Sequence, residues 1–179
     1  MSWRVNQSQS AILVVDVQEK ILPAMKGADA LLGPIVTLLK AAGILEVPVY
    51  LSEQYPQGLG RTVSQIAETA QAVKTFEKTT FSAGSFAEEI DQKTIILAGI
   101  ETHICLRQTA YDLRAAGKTV VILADATASR REENHRIAMQ ELHTDNFLIS
   151  SVEALLFEWV GDSQHEKFKE ISELIKTSA

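Results

Sequence analysis

The strongest constraint on this chain is alternation. Short runs of mainly aliphatic residues recur at 11–17, 47–52, 72–76, 94–98, 119–124 and 147–150, and stretches with apolar residues at helical spacing separate most of them. Strands that alternate with helices close right-handed βαβ units around a parallel sheet. The expected fold class is therefore α/β: a single doubly wound three-layer α/β/α domain over residues 1–179, with a mostly parallel six-stranded sheet in the order 3-2-1-4-5-6. The run at 11–17 is apolar throughout except for Asp16, as suits a strand covered on both faces. With 179 residues and 46% hydrophobic content, the chain buries a full core without a second domain.

Helix limits follow from local chemistry. Asp29 is placed to cap a helix that runs to about residue 42, with Gly43 as its stop. Thr62 with Gln65, Ser129 with Glu132, Ser150 with Glu153, and Ser163 with Glu166 have capping-box spacing. Residues 53–60 read as a loop through Pro56, Gly58 and Gly60, and 77–85 as a polar loop.

A net charge of −6 and a pI near 5.2 oppose binding to nucleic acid or an anionic membrane. Residues 1–10 lack the pattern of a signal peptide, and no apolar run approaches the roughly 20 residues of a membrane span. One cysteine cannot form an internal disulfide, so a reducing, cytoplasmic setting is expected.

That cysteine, Cys105, lies where residues 93–116 turn from a strand into a helix. The unpaired amides and positive dipole end of a helix start favour a thiolate there. In doubly wound sheets the ligand crevice opens where the winding reverses, here between the first and fourth strands. Asp16 closes the first strand, Cys105 follows the fourth, and the loop after the third supplies Lys78. Gathered in one pocket, the carboxylate can accept the thiol's proton while the ammonium stabilises the resulting anions. Gln18, Tyr55, Phe81 and Ile104 flank these positions and are candidate substrate-pocket residues. His103 is two residues from Cys105 on a tight turn, where the side chains diverge, and His135, His143 and His165 lack metal-ligand spacing and read as helix-surface residues. Val17-Gln18-Glu19-Lys20 replaces the glycine-rich dinucleotide fingerprint after the first strand.

The segments Val-Val-Asp-Val-Gln at 14–18, Lys-Thr-Thr-Phe-Ser-Ala at 78–83, Gly-Ile-Glu-Thr-His-Ile-Cys at 99–105 and Asp-Ala-Thr-Ala-Ser-Arg at 125–130 resemble the isochorismatase-like cysteine hydrolase superfamily. The resemblance implies Asp16 as base, Lys78 as electrostatic partner and Cys105 as nucleophile. It also implies a non-proline cis peptide at Ile100–Glu101 and an oxyanion hole made by the backbone amides of Glu101 and Cys105. Nicotinamidases of that superfamily carry an Asp-x-His metal motif after the second strand, whereas this chain has Ser52-Glu53-Gln54-Tyr55, so neither a metal nor another cofactor is expected. A cysteine favours attack on an amide-like carbonyl over vinyl-ether hydrolysis. Residues 53–60 resemble most the branch named after the isochorismatase domain itself. Trypanosomatid members of similar sequence carry a ribonuclease name, which an acidic chain without basic-aromatic interleaving does not support.

The expected function is a metal-independent cysteine hydrolase with an Asp-Lys-Cys triad and a covalent acyl-enzyme, acting on a small amide or related carbonyl compound. The alternative is a low-activity family scaffold used for binding or assembly. The expected partners are a small-molecule substrate and further copies of the chain. Leu155, Leu156, Phe157, Trp159 and Val160, followed by Phe168, Ile171, Leu174 and Ile175, read as surplus apolar surface for a homo-oligomer contact.

Overall fold

The computed structural model describes residues 4–178. Strands β1 (Ser10–Val15), β2 (Val49–Gln54), β3 (Lys74–Lys78), β4 (Thr94–Ile100), β5 (Thr119–Ala128) and β6 (Leu148–Ser150) form one sheet in the order β3-β2-β1-β4-β5-β6. Every neighbouring pair is parallel, so the expected order holds and the mostly parallel sheet is wholly so. The helices are α1 (Ala28–Leu45), α2 (Pro56–Leu59), α3 (Ser64–Ala70), α4 (Arg107–Ala115), α5 (Glu132–Thr144), α6 (Val152–Val160) and α7 (Phe168–Ser178).

Successive strand side chains point to opposite faces, and both faces of this sheet are covered. Ile12 and Val14 of β1 join one apolar cluster with residues of α1, α3, α6 and α7, while Ala11, Leu13 and Val15 join another with residues of α4 and α5. By length and mean hydropathy, α1 could cross a membrane, a feature the sequence reading passed over. Its Ile35, Leu38, Leu39, Ala41 and Ala42 are instead buried in the first cluster. The helix also runs through its expected stop at Gly43 and ends at a left-handed Glu46.

Two expected caps are diverted to tertiary bonds. The Thr62 hydroxyl donates to Glu53 Oε1 at 2.9 Å, and the Ser129 hydroxyl bonds His103 Nδ1 at 2.9 Å, so α3 and α5 begin without a side-chain cap. Helix α6 is capped one residue later than expected, by Ser151, whose oxygen accepts the Ala154 N–H.

The C-terminal region requires a correction. Leu155, Leu156, Trp159, Val160 and Ile171 are buried in the chain's own core, and Phe168, Leu174 and Ile175 pack against it. The expectation of surplus surface counted one covering helix per crossover, but α6 and α7 return to the face of α1, where they meet α1 and each other. Of this group, Phe157 alone stays exposed.

Candidate active site

The winding reverses between β1 and β4, and the chemistry gathers at that point. Asp16 is the first residue after β1, with φ 54°, and its N–H donates to Ser52 O at 3.1 Å. Its carboxylate accepts the Ser52 hydroxyl on Oδ1 at 2.7 Å and the Lys78 ammonium on Oδ2 at 2.6 Å. The pair is sealed: the Lys78 and Asp16 side chains are 2% and 1% exposed. Lys78 is the last residue of β3, not a loop residue, and pairs in register with Gln54, the last of β2. Its ammonium also donates to Gln54 Oε1 at 2.9 Å, Phe81 O at 2.8 Å and Thr80 O at 3.3 Å. A buried charge persists only with such compensation.

Cys105 arrives from the other side of the reversal. Gly99 in β4 has φ 115°, and a Cβ there would lie 2.2 Å from Val15 O, so only glycine lets β4 close against β1. The Ile100–Glu101 peptide that follows is cis, at the bond the resemblance implied. A single π-helical turn, Thr102–Leu106, then carries Cys105 into α4. The Thr109 hydroxyl donates to Cys105 O at 2.7 Å and accepts the Ala83 N–H at 2.9 Å, tying this turn to the segment after β3.

Cys105 is 8% exposed. Burial, with help from the Asp16 carboxylate, pushes its thiol up to about 12, against the opposing pull of the Lys78 ammonium and a backbone hydrogen bond from Glu101. The expectation of a favoured thiolate is therefore overturned. Desolvation and a neighbouring carboxylate outweigh a helix start, which here is a π turn. The Asp16 carboxylate is close enough to raise the thiol's proton affinity, an arrangement in which the proton can pass to that carboxylate as sulfur attacks.

Above Cys105 lies a cleft of about 290 Å³ whose walls include Ile21, Met25, Leu59 and Ile100. Phe81 and Ile104 line it as expected. Gln18 and Tyr55 do not. Gln18 is fully buried with its amide occupied: it donates to Gln54 O at 3.0 Å and Gly60 O at 2.7 Å and accepts the Gln54 N–H at 2.8 Å. It clamps the loop after β2 instead of facing a ligand. Tyr55 stands 53% exposed outside the lining, with φ 39°.

Three functional features escaped the sequence reading. Gln54 lines the cleft, holds Lys78, and anchors Thr79 O through Nε2 at 2.7 Å. Glu53, buried in β2, accepts Thr62 N–H at 2.7 Å and Arg61 Nη1 at 2.9 Å, fixing the far end of the same loop. Glu101 is held by Arg130, whose Nη2 reaches Oε1 at 2.7 Å and whose backbone N–H reaches Oε2 at 2.9 Å. Burial raises the proton affinity of Glu101, but these bonds and the guanidinium charge more than reverse it, so its pKa is lowered.

His103 turns away from Cys105, toward Ser129 and Asn134. His135 is not a free surface residue: its Nδ1 bonds Thr102 Oγ1 at 2.9 Å, and burial lowers its pKa. A larger hollow of about 340 Å³ against Lys26, Thr127, Glu132 and His135 contains none of Asp16, Lys78 and Cys105, so size alone does not locate the chemistry. Among the described residues, no group of three or more His, Cys, Asp or Glu is placed to hold a metal ion.

The isochorismatase domain family matches residues 10–153. Isochorismatase domain-containing protein 1 of Danio rerio is 39% identical over 181 residues, covering 98% of this chain and 64% of that protein. Isochorismatase domain-containing protein 2 of Rattus norvegicus is 36% identical over 178 residues, covering 97% of this chain and 84% of that one. The chain thus spans under two thirds of the first relative's length and most of the second's. The solved structure of MAR1 ribonuclease from Caenorhabditis elegans superposes with a TM-score of 0.91 at 36% identity, covering 98% of this chain and 94% of that one.

Proposed function

Because this chain belongs to the isochorismatase domain family, we propose that it is a metal-independent cysteine hydrolase cleaving a small amide or related carbonyl compound. The observation that carries the reading is Asp16, buried and bonded to the Lys78 ammonium, with its charge felt by the Cys105 thiol that lines a largely apolar cleft. Cys105 sulfur attacks the carbonyl carbon while Asp16 takes the thiol proton, a transfer that a neutral thiol requires. The backbone N–H groups of Glu101 and Cys105 hold the tetrahedral oxyanion. Asp16 then delivers its proton to the departing amine as the C–N bond breaks, leaving a thioester. Water attacks that thioester, giving a proton to Asp16; the C–S bond then breaks, the carboxylic acid leaves, and Asp16 returns the proton to sulfur. Lys78 keeps Asp16 oriented and offsets the charge that moves through it.

The test is Cys105→Ala assayed on a panel of small aliphatic amides, with intact mass as a second readout. Turnover and covalent labelling should both vanish while the circular dichroism stays native. Turnover retained by the alanine variant would contradict the nucleophile assignment, and a native protein inert toward every amide would favour a binding scaffold. The ribonuclease name of the C. elegans structure carries less weight for this chain, because a net charge of −6 opposes a polyanion. A homo-oligomer remains part of the proposal, but its support moves to exposed aromatic surface: Phe81, which lines the cleft, and Tyr55, outside that lining.

A further inference from the structure

The cleft's charge runs against the charge of the chain. The protein carries 23 acidic residues against 17 Lys and Arg, yet the charged residues lining the cleft are Lys20, Arg130 and Glu101. Glu101 already has a partner in Arg130, through Nε at 3.1 Å and Nη2 at 2.7 Å. Arg130 is left with Nη1, which makes no hydrogen bond to a described residue, on a side chain that is 57% exposed. Lys20 is positioned by the loop it touches: its N–H reaches Leu59 O at 3.1 Å and its Nζ reaches Gly58 O at 3.0 Å, which leaves two ammonium hydrogens unused. One cation follows β1 and the other follows β5, and Cys105 follows β4 between them in sheet order.

We infer that the substrate of this cleft carries a carboxylate, bound by Lys20 and the free edge of Arg130, on a short apolar body that places its scissile carbonyl at Cys105. This rests on the cysteine-hydrolase reading and deepens it by naming the substrate class. Ile21, Met25, Leu59 and Ile104 offer the body apolar contact and no hydrogen-bonding side chain. A carboxylate matches an arginine edge in shape and charge, and Lys20 adds a point charge held by its own loop. An amine at the same end of the substrate would meet two cations.

The single cysteine lets the inference be tested without the natural substrate. Iodoacetate and iodoacetamide alkylate the same thiol and differ in one charge. At low salt, the ratio of their rates at Cys105 should favour iodoacetate by at least about tenfold relative to N-acetylcysteine, the low end of electrostatic focusing in a cleft. Lys20→Gln should bring the ratio back toward that of the free thiol, as should high salt, whereas Lys40→Gln, on the exposed side of α1, makes the same change in net charge and should not. A ratio equal to the free thiol's in the native protein would overturn the inference, and so would a ratio that survives Lys20→Gln combined with Arg130→Gln. Calorimetry on Cys105→Ser separates this from the nucleophile reading: hexanoate should bind about tenfold tighter than hexanamide. Equal affinities would sink the anion site, whereas preferred hexanoate together with amide turnover retained by Cys105→Ala would leave the anion site standing and remove the nucleophile.

Discussion

The floor and the rim of the cleft follow opposite rules. On the floor, Asp16, Lys78 and Gln54 are buried and bonded to one another, and the lysine alone meets four acceptors. At the rim, Phe81 is 55% exposed and Lys20 and Arg130 keep unused donors. The floor is therefore part of the fold as much as part of the chemistry, because a charge there depends on every partner it has. Phe81 and Lys20 are where the chain can vary its ligand at little structural cost, while Arg130 also neutralises the buried Glu101.

Substitutions can break this contrast, and the largest effect should come from Lys78→Met. It strands the Asp16 carboxylate in a dry site, and loss of one partner of a buried pair costs about 3–5 kcal/mol. Denaturant unfolding would read this directly. Adding Asp16→Asn should recover part of the loss, since the stranded charge is then gone, and a double variant no more stable than Lys78→Met would show that the charge was not the cause. Gln54→Leu should cost less, about 1–3 kcal/mol, by leaving Thr79 O without its buried donor and removing one acceptor from the ammonium. Turnover should fall with it, because Lys78 loses part of its orientation. Phe81→Ala should change stability by no more than about 0.5 kcal/mol while raising KM for amides with an apolar body. A destabilisation as large as that of Gln54→Leu would dissolve the distinction between floor and rim.

The floor was more legible in the sequence than the rim. Asp16, Lys78 and Cys105 each stand at the end of an apolar run or beside one, and strand alternation then dictates where the ends meet. Gln54 was missed because the second strand was expected to stop at residue 52, which left a strand-held side chain looking like part of a loop. Gln18 differs for a related reason: it is close to Asp16 in sequence but does not line the pocket, because its amide faces the loop after β2. The C-terminal stripe was legible as apolar and illegible in destination, since helical spacing says that a face is buried but not against what. The state of the Cys105 thiol was least accessible of all. Its position at a helix start can be read locally, but the burial and the carboxylate that overrule it come from residues about ninety positions away in the chain.

That thiol carries the central claim, that Cys105 is held neutral and needs Asp16 to release its proton. The direct measurement is the pH dependence of Cys105 ionisation, followed by thiolate ultraviolet absorbance and by alkylation rate, in the native protein and in Asp16→Asn. The native thiol should stay protonated through neutral pH and ionise only toward about 12. Because the Asp16 anion raises that value, its removal should lower it, so at a fixed alkaline pH the variant should alkylate faster. Amide turnover by the same variant should fall by about 10²–10⁴, as expected for loss of a positioned general base. A native thiol already ionised at neutral pH, or an Asp16→Asn variant that turns over amides at the native rate, would contradict the account.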